Sequence, residues 1–497
     1  MSNNQLPPDA NGLQLNFCKT LSCENFGVSE PKRYILQQTN PKRLNMVCRS
    51  CGSFPPLLNN LDVLHEYHRL KTTHHDELPA CKNSNCVNFG VSCLSHKHLY
   101  HAFGYSCDKQ RYKCKTCQRT FVDKWSGDNK NLQFHESLVG LIFKGYSVRE
   151  ICRLLRINPK SFYDNLNSIA GRCRRKLAVI DVRWQKHAQN YELSSHYLPL
   201  QPGSHNGVYW IVSGDAHSGY ILCQHTNYSP TEEANENSDH TPYDETSRFV
   251  SRKYKPETKE LNQSFCHSLQ QKIDKQYQTI LARYNVEDPL GDLSTFIYPS
   301  KGALIRPPYT AYAHYLHLIG MCNEEYPMTI YLPQDPLLRS SAMSIFLPRI
   351  KNGNINLMYV EEGGCWCMKK ASGNVDIVHM SWWRDRWAIS TQIKAKNNPQ
   401  IHYQKGICYL TGRDDNLVDW FQHATLSQAQ GYQHRFQQLF ESFINEPRRK
   451  LRPASILPLL DIFRAWHNLC ELDTNGLTAA QRLGVSKEPL TIKQLLA

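Results

Sequence analysis

Four pairs of cysteines constrain this chain more than any other feature. Cys18-KTLS-Cys23-ENFGV returns sixty-three residues later as Cys81-KNSN-Cys86-VNFGV. The first unit closes with Cys48-RS-Cys51 and the second with Cys114-KT-Cys117, so each reads C-x4-C, a spacer of about 25 residues, then C-x2-C. Two short loops that each present two thiolates can surround a tetrahedral Zn2+, and the metal supplies folding energy that so small a unit lacks. The pattern predicts two structural zinc sites, Cys18, Cys23, Cys48 and Cys51 in one ribbon (14–60), and Cys81, Cys86, Cys114 and Cys117 in the other (78–126); the alternative is a duplicated unit whose first copy has lost its metal. Cys93 and Cys107 have no matching partner and are read as small buried residues rather than ligands.

At 497 residues the chain is long enough for several domains, each with its own core. Its nineteen cysteines fall in metal-style pairs or singly in apolar contexts, which suits a reducing, cytoplasmic compartment. The opening MSNNQLPPDANG has neither the basic start nor the apolar stretch of a targeting peptide, and no run of about 20 apolar residues is present, so a soluble protein with no membrane partner is expected. The net charge of +14 is uneven: residues 1–180 hold twenty-six Lys and Arg against thirteen Asp and Glu, and the rest is nearly neutral. A polyanion docking on the front third accounts for that bias, and a merely soluble basic surface is the alternative.

Residues 131–180 have helical periodicity broken by Lys144-Gly145-Tyr146, and Ser147-Val-Arg-Glu150 matches a capping box. A second break at Ile157-Asn158-Pro159 opens a helix that would be the recognition element of a helix-turn-helix. It offers Lys160, Ser161 and Tyr163 to bases and Arg172, Arg174, Arg175 and Lys176 to phosphates; a plain three-helix spacer is the alternative.

From about residue 190 strands take over, with Asp215-Ala-His-Ser-Gly219 as a tight hairpin turn. The polar stretch 227–260 reads as a flexible insertion. Helices are expected at about 262–284 and 309–320, followed by a strand, Met328 to Asp335, that leads into a helix and then the strand INLMYVEE. Residues 363–412, with Cys365-Trp-Cys367 and Trp382, Trp383 and Trp387, read as a small β insertion whose tryptophans belong to a core. Helices from about Leu417 to Ile444 and from Ile456 to Cys470, then a tail (471–497), complete the chain.

RYKCKTCQRTF, GYSVREICRLL, TIYLPQD, FESFINEPRRKLR, FRAWHNLCE and LTAAQRLGVSKEPLTIKQLL, in this order, resemble the insertion-sequence transposases that carry zinc ribbons, a helix-turn-helix and a ribonuclease-H-like DDE nuclease. The resemblance implies a multi-domain protein: tandem small zinc ribbons, an all-α helix-turn-helix, and an α/β ribonuclease-H-like core (190–470) with a β-rich insertion. It implies double-stranded DNA as partner, a homo-oligomer, a bacterial nucleoid-associated location, and strand cleavage and transfer by three carboxylates around two Mg2+ ions. Asp335 is similar to the second acid, with a helix N-cap as its other reading. Glu441 is similar to the third, with a solvated helix face as its other reading, and Arg448, Arg449 and Lys450 behind it would face DNA. For the first acid the family's position falls on Ser194 or Ser195; Asp215 is the substitute if the strand register is displaced by one element. With that acid the chain is an active transposase, and without it an inactive or domesticated relative that acts as a DNA-binding regulator.

Overall fold

The computed structural model describes residues 5–497 apart from 38–43, 76–77, 84, 95, 124–130, 188, 235–240, 245, 257–265, 267, 284, 364–376, 396–397, 413–416 and 445–452. The first cysteine unit is built on the antiparallel pair β1 (Tyr34–Gln37) and β2 (Asn45–Cys48). Next comes a helix, α1 (Asn60–His75), which hydrophobic periodicity conceals because the helix packs through polar groups. Its Asp62 is buried and accepts from the Ser247 hydroxyl (2.8 Å) and the Arg248 backbone N–H (3.0 Å). Its Glu66 accepts from Arg69 at 2.6 and 2.7 Å and from the Thr310 hydroxyl at 2.7 Å. The second cysteine unit is a three-stranded sheet of β3 (Tyr100–Ser106), β4 (Lys109–Cys114) and β5 (Thr120–Val122).

Helices α2 (Leu132–Phe143), α3 (Val148–Leu155) and α4 (Pro159–His187) follow. The capping box forms: the Glu150 backbone N–H donates to Ser147 Oγ and the Ser147 N–H to the Glu150 carboxylate. Arg156, at φ +53°, ends α3, and the Asn158 side chain caps α4 by accepting from the Ser161 N–H at 2.8 Å. Helix α4 runs 29 residues, past the expected boundary at 180, because Ile180 and Trp184 continue its apolar face into the core.

The body is one eight-stranded sheet. Its strands are β6 (Tyr191–Pro199), β7 (Tyr209–Asp215), β8 (Ile221–Thr226), β11 (Met328–Leu332), β12 (Ile355–Glu362), β13 (Ile377–Trp382), β14 (Asp385–Ala395) and β15 (Asn398–Tyr409), in the order β13-β14-β15-β12-β11-β6-β7-β8. Strands β6, β11 and β12 run parallel, β7 runs antiparallel to β6, and β8 turns back antiparallel to β7. A separate small pair joins β9 (Tyr228–Ser229) to β10 (Ala303–Leu304). Helices α5 (Leu269–Ala282), α6 (Pro307–Ile319), α7 (Pro336–Ile345) and α8 (Leu347–Lys351) cross between strands, and α9 (Leu417–His423), α10 (Ser427–Leu439), α11 (Glu441–Ile444), α12 (Leu457–Leu469), α13 (Ala479–Arg482) and α14 (Ile492–Leu496) close the chain.

Several expected boundaries change. The described part of 363–412 extends the main sheet through β15, which pairs with β12, instead of forming a unit of its own. Trp387 is buried, and Trp382 stacks on Tyr277 (4.2 Å between ring centres), as core residues do, whereas Trp383 is 60% exposed. Within 227–260, Ser247, Arg248, Phe249 and Val250 are buried against α1 and the core, so that part is not a solvated linker. The tail is likewise built in: Thr478–Gln481 and Thr491–Gln494 form capping boxes, and Leu495 and Leu496 are buried. A single apolar cluster includes Leu138, Ile151, Leu166, Leu193, Ile330, Phe463 and Leu496, so the helical bundle, the sheet and the tail share one core. No helix among the described residues is long and apolar enough to cross a membrane.

Candidate metal centres and nucleic-acid interface

The cysteines of each unit converge. Sγ of Cys18 lies 3.4 Å from that of Cys51, and Cys23 lies 3.7 Å from Cys48; in the second unit Cys81–Cys117 is 3.4 Å and Cys86–Cys114 is 3.8 Å. These are close to the roughly 3.8 Å edges of a tetrahedron with Zn–S bonds of 2.3 Å. In each unit the four sulfurs lie within 4.8 Å of one another, a set that can hold structural zinc.

The repeated Asn-Phe-Gly-Val supports the sulfurs. Asn25 donates its backbone N–H to Cys23 Sγ (3.4 Å) and its side chain to Cys48 Sγ (3.3 Å); Asn88 does the same to Cys86 and Cys114, at 3.4 Å each. Gly27 and Gly90 take φ of +67° and +71°. The Tyr34 and Tyr100 hydroxyls then donate to the carbonyls of Val28 and Val91. Burial raises the Cys51 thiol, yet hydrogen bonds from the Ser53 hydroxyl and backbone overcome it and bring its pKa down to about 5. Burial and the hydrogen bond to Cys51 push its partner Cys18 up, so the set gains its remaining thiolates when a cation binds. Cys93 is buried, as expected; Cys107 is instead exposed, at φ +48° in the β3–β4 turn.

The first unit is docked on the body. Lys19 reaches Glu287 (3.3 Å) and the Tyr312 hydroxyl, and Arg384 donates to Thr20 (2.6 Å), Ser53 and the Cys51 carbonyl.

Of the residues expected to face DNA, Lys160 is exposed and Ser161 half-buried at the start of α4, while Tyr163 packs partly against the core. Arg172, Arg174 and Arg175 are struts. Arg172 donates to the Leu496 carbonyl (2.8 Å), Arg174 pairs with Asp461 on α12, and Arg175 forks onto the buried Asp123 of the second cysteine unit. They lie where α4 is covered by its neighbours, so they are not available to phosphates. Arg448, Arg449 and Lys450 lie outside the described residues, as do Cys365 and Cys367. In their place α3 and its turn expose Arg149, Arg153 and Arg156, and the start of α4 exposes Lys160. The β3–β4 hairpin adds a second exposed face: Phe103 and Tyr105 are 47% and 71% exposed, and Arg111 and Lys113 each lie 5.5 Å from the Phe103 ring centre.

The three acids do not assemble into a metal-holding group. Asp215 sits beside Leu193, at the start of β6. Its Oδ1 accepts from the backbone N–H groups of His217 (3.2 Å) and Ser218 (2.6 Å) and from the Ser218 hydroxyl (2.6 Å), an Asx turn. Asp335 follows β11 at the opposite end of the sheet, where the Tyr197 hydroxyl donates to it at 2.8 Å. Four residues of strand separate Leu193 from Tyr197, about 13 Å along the sheet, whereas a metal pair spans roughly 4 Å.

Asp335 is also fully engaged. Its Oδ1 caps α7 by accepting from the Leu337 N–H (2.8 Å), and its Oδ2 is 2.8 Å from the Arg283 guanidinium. Burial works against the charge on Arg283, but Asp335 and Asp292 more than offset it and hold the cation in place. Glu441 is exposed, one turn beyond Gln437, which reaches the Pro199 carbonyl at 3.0 Å. It therefore lies near the Asp335 end of the sheet. Ser194 is buried at mid-strand on β6, and Ser195 bonds Ser213 at 2.6 Å. The Ser194 hydroxyl has no partner among the described residues.

No protein-family model matches this chain, and neither does any curated protein.

The exposed arginines of α3 and the hairpin aromatics escaped the sequence reading for one reason: charge counts do not distinguish an arginine that faces solvent from one that pins two helices. Ser194→Ala is expected to leave unfolding free energy unchanged or raise it by up to about 1 kcal/mol, since it removes a desolvated hydroxyl. Urea denaturation checks this, and a loss above about 2 kcal/mol would show that the hydroxyl has a partner after all.

Proposed function

We infer that this protein binds duplex DNA through its helix-turn-helix and second cysteine unit, and that its α/β body is a ribonuclease-H-like scaffold of the transposase type that does not cut DNA. The observation that carries the reading is the exposure of Arg149, Arg153, Arg156 and Lys160 on α3, the turn and the start of α4. Four exposed cations at one turn-helix junction can neutralise phosphates, and the N-terminus of α4 adds dipole attraction for an anion. The Phe103–Arg111–Lys113 hairpin supplies a second surface of the aromatic-basic kind that nucleic acid accepts.

Support for the scaffold comes from the strand order β8-β7-β6-β11-β12, with three antiparallel strands followed by two parallel ones, which is the ribonuclease-H arrangement. Support for its silence comes from the acids. A serine stands at mid-β6, Asp215 belongs to a turn at the wrong end, and Asp335 is neutralised by Arg283. The four-cysteine units would hold zinc and fix the hairpin in place.

Supercoiled DNA incubated with the full chain and Mg2+ or Mn2+ is expected to be bound and not nicked. Metal-dependent nicking abolished by Asp335→Asn would overturn the scaffold reading and restore an active DDE enzyme.

A further inference from the structure

A third cluster of metal-ligating side chains lies inside the body, away from both cysteine units. Cys223 and His225 sit two residues apart on β8 and therefore face the same side of the sheet. His314 on α6 comes down onto them. All three are buried, and one ligand atom from each lies within 4.8 Å of the others. Sγ of Cys223 is 3.7 Å from His314 Nε2, and the two imidazoles face each other Nδ1 to Nδ1 at 2.8 Å.

The group brings together one sulfur and two facing imidazole nitrogens, with no carboxylate among them. Sulfur and nitrogen donors without a hard oxygen select a borderline cation of the zinc class over Mg2+ or Ca2+. Two nitrogens on one tetrahedral zinc stand about 3.3 Å apart, half an ångström wider than the imidazole pair here.

The surroundings also resemble a metal site. Ser213 Oγ lies 2.7 Å from His314 Nε2 and is itself held by Ser195 at 2.6 Å, a relay that orients a ligating ring. His317, one helical turn on, has its ring centre 5.1 Å from that of His225. A cavity of about 280 Å3, lined among others by Cys223, His317 and Met321, lies beside the cluster.

We propose that Cys223, His225 and His314 form a buried three-donor Zn2+ site that rivets β8 to α6. The sequence pattern is C-x-H on a strand and a histidine on a helix almost ninety residues later, too far apart for the spacing alone to reveal it. The site stands independently of the DNA-binding reading.

The full chain, expressed with zinc in the medium, is analysed for first-row metals by mass spectrometry. Three zinc ions per chain are expected, two in the cysteine units and one here, with Cys223→Ser and His314→Gln each lowering the count by one. Two zinc ions and no other metal in the parent protein, or three that neither variant lowers, would overturn the proposal. If neither variant folds, an anomalous difference map of the parent crystal at the zinc edge decides: a peak between β8 and α6 supports the site, and no peak there refutes it.

Discussion

Replacing Cys48 by serine is expected to strip one zinc ion from the chain and unfold the first cysteine unit. Zinc contributes apparent binding energies of about 10–16 kcal/mol to units of this type, far more than the few apolar residues around Cys18, Tyr34 and Met46 can replace. The damage is not confined to the unit. Lys19 leaves Glu287, a carboxylate whose side chain is 4% exposed, and an unpaired buried charge costs about 3–5 kcal/mol. Arg384 loses Thr20, Ser53 and the Cys51 carbonyl at the same time. Cys114→Ser should also lose one zinc ion yet leave these interactions intact. Zinc content together with hydrogen exchange over α1 separates the two: slow exchange in α1 retained in the Cys48 variant would show that the first unit hangs loosely on the body.

The second large effect is expected at Arg464. This buried guanidinium donates to the Ile221 carbonyl (2.9 Å) and pairs with Asp181 at 2.9 Å, while the Tyr220 hydroxyl donates to the same carboxylate at 2.7 Å. Three elements, α12, α4 and β8, are tied by that one side chain. Arg464→Met strands Asp181 and is expected to lower the unfolding free energy by about 3–5 kcal/mol. The double variant Arg464→Met, Asp181→Leu should recover much of the loss, because replacing both charges removes the desolvation penalty. Thermal and urea unfolding check both; a single variant within about 1 kcal/mol of the parent would mean that water reaches the pair.

How legible each part was follows from the signal it carried. The cysteine units could be read because four ligands, an asparagine, a glycine and a valine recur at fixed offsets, and each has a mechanical task around the sulfurs. Strands β6, β7, β8, β11 and β12 and the Ser147 capping box could be read from alternation and turn chemistry. Helix α1 could not, since Asp62 and Glu66 are its buried anchors and mimic a solvated face. The edge strands β13–β15 were legible as strands but not as part of the main sheet, because pairing between β12 and β15 is a long-range choice. The acids show the same limit. Asp335 could be foreseen as a helix cap, but the Arg283 that engages it lies fifty-two residues earlier. Similarly, Arg174 and Arg175 looked like phosphate ligands until α12 and Asp123 appeared beside them.

The central claim is that the α3–α4 junction grips DNA phosphates, and the most direct measurement is duplex affinity against salt concentration, for the parent and for the variant Arg149→Ala, Arg153→Ala, Arg156→Ala, Lys160→Ala. A steep fall of log K with log salt is expected for the parent, with the slope shallower in the variant by about 0.9 for each phosphate that is no longer neutralised. Binding that ignores salt, or a variant with the parent's affinity and slope, would contradict the account.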